Sequence, residues 1–320
     1  MRFCETWLRV SKRLAAGLPC CASGAFVGAG FLFVSLAHAA PIAEFETPAT
    51  LVAADGSTRA IELISAKGNS IRYRVDGALR DVEIQEGVAV SVPEPAEFSA
   101  GMDLYQGRNY QEARRRFAEV KKKYRPIAGM MDSLSTLAAF YEMECLRKVG
   151  DLAGLAEALK EFSKGPLSRD YQNRQLELYV LWDAVRIKDW EKVLTLAASR
   201  AGMRLPGDQR AQVACCEGFA LEGLGRPDEA LLSYQMAITA DAGASEEITR
   251  QAALRILAIY AKDGEVTAAL TGKGSGPAAG QVKLAQARAI VGLFELSFGN
   301  GTPLPAEFLK FRTAGASTKP

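Results

Sequence analysis

Two stretches of this chain, more than a hundred residues apart, place the same kinds of side chain at the same offsets. Gly218, Leu221, Pro227, Ala230 and Tyr234 follow one another at steps of three, six, three and four, and Gly101, Leu104, Tyr110, Ala113 and Phe117 repeat those steps. Few backbones satisfy such a spacing. Two helices that cross closely need small residues at the crossing, because a large side chain there would force the backbones apart. Gly101 or Gly218 fills that role on the first helix, and Ala113 or Ala230 on the second. Leu104 and Leu221 fill the seam. Tyr110 and Pro227 open the second helix, where proline is tolerated because the first turn has no partner for its missing N–H. Phe117 and Tyr234 bury a ring one turn past the alanine, on the same face.

Further copies are degenerate. Met143, Leu146, Leu152, Leu155 and Leu159 make one, Leu181, Ala184, Trp190, Val193 and Ala197 another, and Leu257, Tyr260, Val266 and Ala269 an incomplete fifth. Ala113, Leu155, Val193, Ala230 and Ala269 are then equivalent, at spacings of 42, 38, 37 and 39 residues. Break signals fall between the apolar helical runs: QGRN at 106–109, KVGD at 148–151, IKD at 187–189, LGRPD at 224–228 and KDG at 262–264. The C-terminal stretch AAGQVKLAQARAIVGLFELSFG predicts a helix that covers the open end of the last repeat.

The segment ahead of the helices has a different period. TLVAA, AIELIS, SIRYRVD and DVEIQ alternate or run apolar as strands do, and DG at 55–56, KGN at 67–69 and DG at 76–77 read as turns. Four short strands predict a small all-β sheet or partly open barrel over 50–92. VPEPAE then opens the helical part.

The repeat pattern resembles the tetratricopeptide repeat, and RPDEALLSYQMAITAD is close to that family's second helix. The resemblance covers 96–270 and implies a mainly α protein, a tetratricopeptide-like α-solenoid of helix hairpins, with repeats longer than the family's period of about 34 residues. Capping helices are expected over 279–313 and a disordered tail over 314–320. The resemblance also implies a concave surface lined by the first helices, and aligning the copies places Phe98, Met102, Tyr105, Phe140, Arg147, Trp182, Arg186 and Phe219 near it. Aromatic and arginine side chains suit peptide recognition; the same residues equally suit packing between adjacent repeats. The family's carboxylate clamp is not matched, since Phe98 and Met102 stand where polar clamp residues are needed.

Residues 1–39 read as a secretory signal. Arg2, Arg9, Lys12 and Arg13 precede the apolar run AFVGAGFLFVSLA, and Ala37 and Ala39 supply the small residues before a cleavage point. The alternative is a retained anchor. A tether at 40–49 follows, and no membrane span is expected after cleavage. Export makes nucleic acid an unsuitable partner. Cleavage leaves 35 basic against 36 acidic residues and removes His38, the only histidine. A chain without imidazole has no Ser-His-Asp or Cys-His machinery, no common zinc site and no histidine switch. Cys145, Cys215 and Cys216 read as small buried apolar residues. The basic run RRRFAEVKKKYR at 114–125 spreads around its helix and reads as a solvated face or a contact for an acidic partner.

These readings converge on an exported, non-catalytic scaffold that binds an envelope protein or peptide, with no cofactor and no metal. Two alternatives stay open: an envelope glycan-active enzyme using two carboxylates, and a self-assembling structural component.

Overall fold

The computed structural model describes residues 45–162, 167–241, 245–272, 278–299 and 301–313. The expected leader at 1–39, the first half of the tether, most of the GKGSG run and the tail at 314–320 lie outside those residues. The described chain is mainly helical, with one small antiparallel sheet ahead of the helices.

The sheet holds β1 (Thr47–Val52), β2 (Thr58–Lys67), β3 (Ser70–Val75), β4 (Ala78–Glu83) and β5 (Ala89–Ser91), in the order β4-β3-β2-β1-β5. Three details depart from the sequence reading. β1 begins at Thr47, inside the expected tether, because Thr47 already pairs with Leu63. β4 covers 78–83 rather than 81–85. Asp76 and Gly77 form a two-residue turn with φ of 50° and 76°, so pairing resumes at once with Val75 opposite Ala78. β5 is a fifth strand where four were expected; three residues are too few to show alternation, and it pairs with the second edge of β1.

One face of the sheet is apolar. Ile61 and Leu63 on β2, and Ile71, Tyr73 and Val75 on β3, alternate inward as a half-buried strand requires. They share a core with Tyr124, Ile127 and Met130, which follow the second helix through a 3₁₀ turn at Arg125–Ile127. The sheet is thus packed on the first helix hairpin.

Ten helices pair as hairpins: α1 (Ala96–Gln106) with α2 (Tyr110–Lys123), α3 (Leu134–Lys148) with α4 (Leu152–Glu161), α5 (Asp170–Arg186) with α6 (Trp190–Ala198), α7 (Gly207–Gly223) with α8 (Pro227–Ala240), and α9 (Glu246–Lys262) with α10 (Gly264–Thr271). Each second helix packs on the next first helix, and α11 (Ala278–Phe298) packs on both α9 and α10. α12 (Lys310–Thr313) lies on α11.

Four of these hairpins close through one turn geometry. Arg108, Gly150, Lys188 and Gly225 occupy equivalent positions with φ of 62°, 78°, 58° and 75°. The next residue in each turn donates its backbone N–H back to the seam position: Asn109 to Leu104 at 2.9 Å, Asp151 to Leu146 at 2.9 Å, Asp189 to Ala184 at 3.0 Å, and Arg226 to Leu221 at 2.8 Å. The left-handed residue itself donates three residues back in every case. This double bond set is the Schellman closure, which satisfies carbonyls that a helix end otherwise leaves unpaired. Asn109, Asp151 and Asp189 then turn their side chains forward to cap the second helix.

The glycines of the spacing have a direct cause. A Cβ on Gly101 would stand 2.9 Å from the Phe117 ring, and one on Gly218 would stand 2.5 Å from the Tyr234 ring. Each ring occupies the space a side chain would need. Tyr234 is fully buried and has no room to yield.

Gly218→Ala is therefore expected to cost about 1–3 kcal/mol in urea or thermal unfolding. Gly202→Ala, where the added carbon meets nothing within 4 Å, is the control and should change stability by less than about 0.5 kcal/mol.

Candidate functional site

The inner faces of α3, α5, α7 and α9 carry polar and aromatic residues at helical spacing. Glu144 and Arg147 lie one turn apart on α3. Gln175, Tyr179 and Trp182 run along α5, Gln212, Phe219 and Glu222 along α7, and Glu247, Gln251 and Arg255 along α9. Steps of three, four and seven residues keep each set on one face.

Arg147 stands at the centre, with 4% of its side chain exposed. Its Nε and Nη2 donate to the two oxygens of Glu144, both at 3.0 Å. Its Nη1 donates to Glu247 Oε1 at 2.9 Å, a hundred residues further along the chain. Lys148 Nζ reaches the same Glu247 oxygen at 3.1 Å. Tyr179 donates its hydroxyl to Glu144 at 2.7 Å, and Tyr105 does so at 3.3 Å. Burial works to raise the Glu144 carboxyl, but Arg147, Lys148 and the Tyr179 hydroxyl together outweigh it and hold it below its ordinary value. Glu247 is held low in the same way, with burial outweighed chiefly by Arg147 and Lys148. Burial, with the neighbouring carboxylate behind it, pushes the Tyr179 and Tyr105 hydroxyls up, so both remain donors.

A second tier joins α5 to α7. Gln175 and Gln212 exchange amide hydrogen bonds at 2.9 and 3.1 Å, and Trp182 Nε1 donates to Gln212 Oε1 at 3.0 Å. Between this tier and the helix ends opens a cavity of about 510 Å³. Trp182, Val185, Trp190, Phe219, Leu152 and Ile248 form its apolar walls. Arg147 and Glu247 contribute from the ion cluster, and Glu222, Gln251, Arg255 and Lys188 add to the lining with Gly150 and Gly223. Arg255 sits over the Phe219 ring at 5.5 Å and pairs with Glu222 at 2.9 Å. Glu222 also accepts from the Tyr234 hydroxyl at 3.1 Å. Trp190 lies against Gly223, where a Cβ would intrude on the indole.

The eight residues selected from the sequence separate into groups. Arg147, Trp182 and Phe219 meet at this cavity. Tyr105 joins the ion cluster. Phe98 is buried edge-on to Phe117 and Tyr141, Met102 packs beside it, and Phe140 is buried against Tyr141 and Tyr179. The first hairpins stack closely enough that these side chains serve as core. Arg186 is exposed and pairs with Asp183 one turn back at 2.8 Å.

The sequence reading missed Lys188, Trp190, Glu222, Glu247, Gln251 and Arg255. Trp190 carried a signal, since it opens the second helix of its copy. The acidic residues carried none, because their partners are remote.

Elsewhere, most of the basic run is neutralised. Arg114 pairs with Asp151, Arg115 with Glu112, Arg116 with Glu112 and Glu119, Lys121 with Glu142, and Lys123 with Glu97. Cys145, Cys215 and Cys216 are free and buried; burial pushes the first two thiols up to about 12 and the third also upward, so all three stay protonated. Among the described residues no group of three or more His, Cys, Asp or Glu is placed to hold a metal ion, and no helix is long and apolar enough to cross a membrane.

The chain matches no family model, and neither a curated protein nor a solved structure is significantly similar to it.

The ion cluster predicts an acid-sensitive fold. Carboxyls held below the ordinary 4.5 contribute stability that is fully present above that pH and is lost as pH falls through their folded values. Glu144→Gln should cost about 3 kcal/mol at pH 7, because it leaves excess positive charge buried. The gap from wild type should narrow as pH falls from 5 to 3 in chemical denaturation. A gap constant with pH would contradict this assignment.

Proposed function

We propose that the chain is an exported, non-catalytic adaptor whose hairpins form a tetratricopeptide-like α-solenoid and hold a peptide segment of an envelope partner in the aromatic cavity. The repeated turn supports the solenoid reading. Four hairpins share one closure at one register, and the glycine–aromatic crossings recur with it. Export rests on the basic leader, the apolar run and the small residues Ala37 and Ala39 before the cleavage point.

The observation that carries the binding reading is the cavity itself. It collects two tryptophans, a phenylalanine and a stacked arginine from four helices, α5, α6, α7 and α9, into one concave site. Such groups provide large contact area at low conformational cost, the composition of peptide-binding hot spots. Its charged groups also suit binding better than hydrolysis. Glu247 is held ionised by Arg147 and Lys148, so it has no proton to give to a leaving group, and Glu222 is engaged by Arg255 and Tyr234.

Site-specific photocrosslinking tests the reading without disturbing the core. Benzophenone-phenylalanine at Lys188, on the cavity rim, is expected to trap a discrete envelope partner. The same probe at Met236, exposed on the outer face of α8, should not. Equal trapping from both positions, or none from Lys188, would remove the cavity from the function.

A further inference from the structure

We infer that the occupant of this cavity is a short acidic peptide segment carrying an aromatic or branched aliphatic side chain, and this rests on the cavity being the binding site. Three features of the lining select it. The walls offer Trp182, Trp190 and Phe219 to an apolar side chain. The charges are already matched, save one. Arg147 pairs with Glu247, and Arg255 with Glu222, while Lys188 on the rim is exposed and has no carboxylate partner among the described residues. The lining is left with an unbalanced positive charge. A basic segment would meet Lys188 with no free carboxylate to receive it; an acidic one would pair with it.

The third feature is an orphan acceptor. Gln251 lies one turn from Glu247 and one turn from Arg255 on α9, and its Oε1 is buried without a hydrogen-bond donor. A buried amide oxygen left unpaired is costly. A backbone N–H entering beside the apolar anchor satisfies it. Peptide therefore fits better than glycan. A sugar ring brings several hydroxyls that each require a partner, whereas the two carboxylates of the lining are already engaged, Glu247 by Arg147 and Lys148, and Glu222 by Arg255 and the Tyr234 hydroxyl.

The cavity carries its own reporter. Trp182 and Trp190 both line it, and Trp7 is the only other tryptophan. The full chain, excited at the tryptophan edge, is titrated with capped peptides of sequence Gly-Asp-Phe-Asp-Gly, Gly-Lys-Phe-Lys-Gly and Gly-Asp-Gly-Asp-Gly, and with a chitin oligosaccharide. The acidic phenylalanine peptide should shift the emission saturably, and the other three should bind at least about tenfold more weakly. Lys188→Glu and Gln251→Leu should each weaken it by about tenfold, with unchanged melting temperature. A basic peptide that binds as well, or a Lys188→Glu variant that binds unchanged, overturns the acidic preference and leaves the cavity as a site. A response to the oligosaccharide alone overturns the peptide. Silence from every probe removes both this inference and the binding role of the cavity.

Discussion

The helix array depends on one buried guanidinium. Arg147 has given up nearly all its water and receives in exchange two carboxylates and the aligned hydroxyls around them. Removing such a charge from water costs several kcal/mol, recovered only when geometry is good and every donor is used. The bidentate fork to Glu144 fixes the guanidinium plane on α3, and in that plane Nη1 points toward Glu247 on α9. An apolar seam of equal area would tolerate sliding, whereas this fork accepts one register. Its contribution on this account is specificity: it determines which turn of α9 faces which turn of α3 beside the cavity.

Around that point the array repeats itself by local rules. Four of the five hairpins are closed by a left-handed residue whose neighbour bonds back to the seam leucine or its equivalent. Much of this was legible in the sequence. The small crossing residues, the seam and the buried ring are tied to one helix pair, so their spacing survives as a readable period. The turn was only half legible. Gly150 and Gly225 advertise a left-handed conformation, but Arg108 and Lys188 adopt it without glycine, held by the same two backbone bonds. At the sheet, β4 and β5 were misplaced or missed because their pairing is set by a tight turn and by an edge of β1, not by their own alternation.

The candidate site was legible to the extent that one helix defines it. Trp182, Phe219 and Arg147 share the face that the repeat alignment turned inward, and the cavity contains all three. Phe98 and Phe140 share the same alignment but are consumed by packing, since ring volume alone does not say whether a neighbouring helix or open space lies opposite. Glu247 and Gln251 were beyond reach. Their roles arise from contacts across a hundred residues, and nothing in a run of helical glutamates and glutamines marks which one meets a buried arginine. Lys188 was hidden for the opposite reason: its meaning lies in having no carboxylate partner among the described residues.

The account turns on whether Arg147 and Glu247 hold α3 and α9 together as one unit, and a double-mutant cycle measures that directly. Arg147→Met and Glu247→Leu would be made singly and together, each unfolded in urea at pH 7. The pairing predicts single losses that do not add, with a coupling of about 1–3 kcal/mol, and a double variant in which the emission of Trp182 and Trp190 differs from wild type. Losses that add to within about 0.5 kcal/mol, with tryptophan emission unchanged, would mean that the two helices are held elsewhere and that the cavity does not depend on this pair.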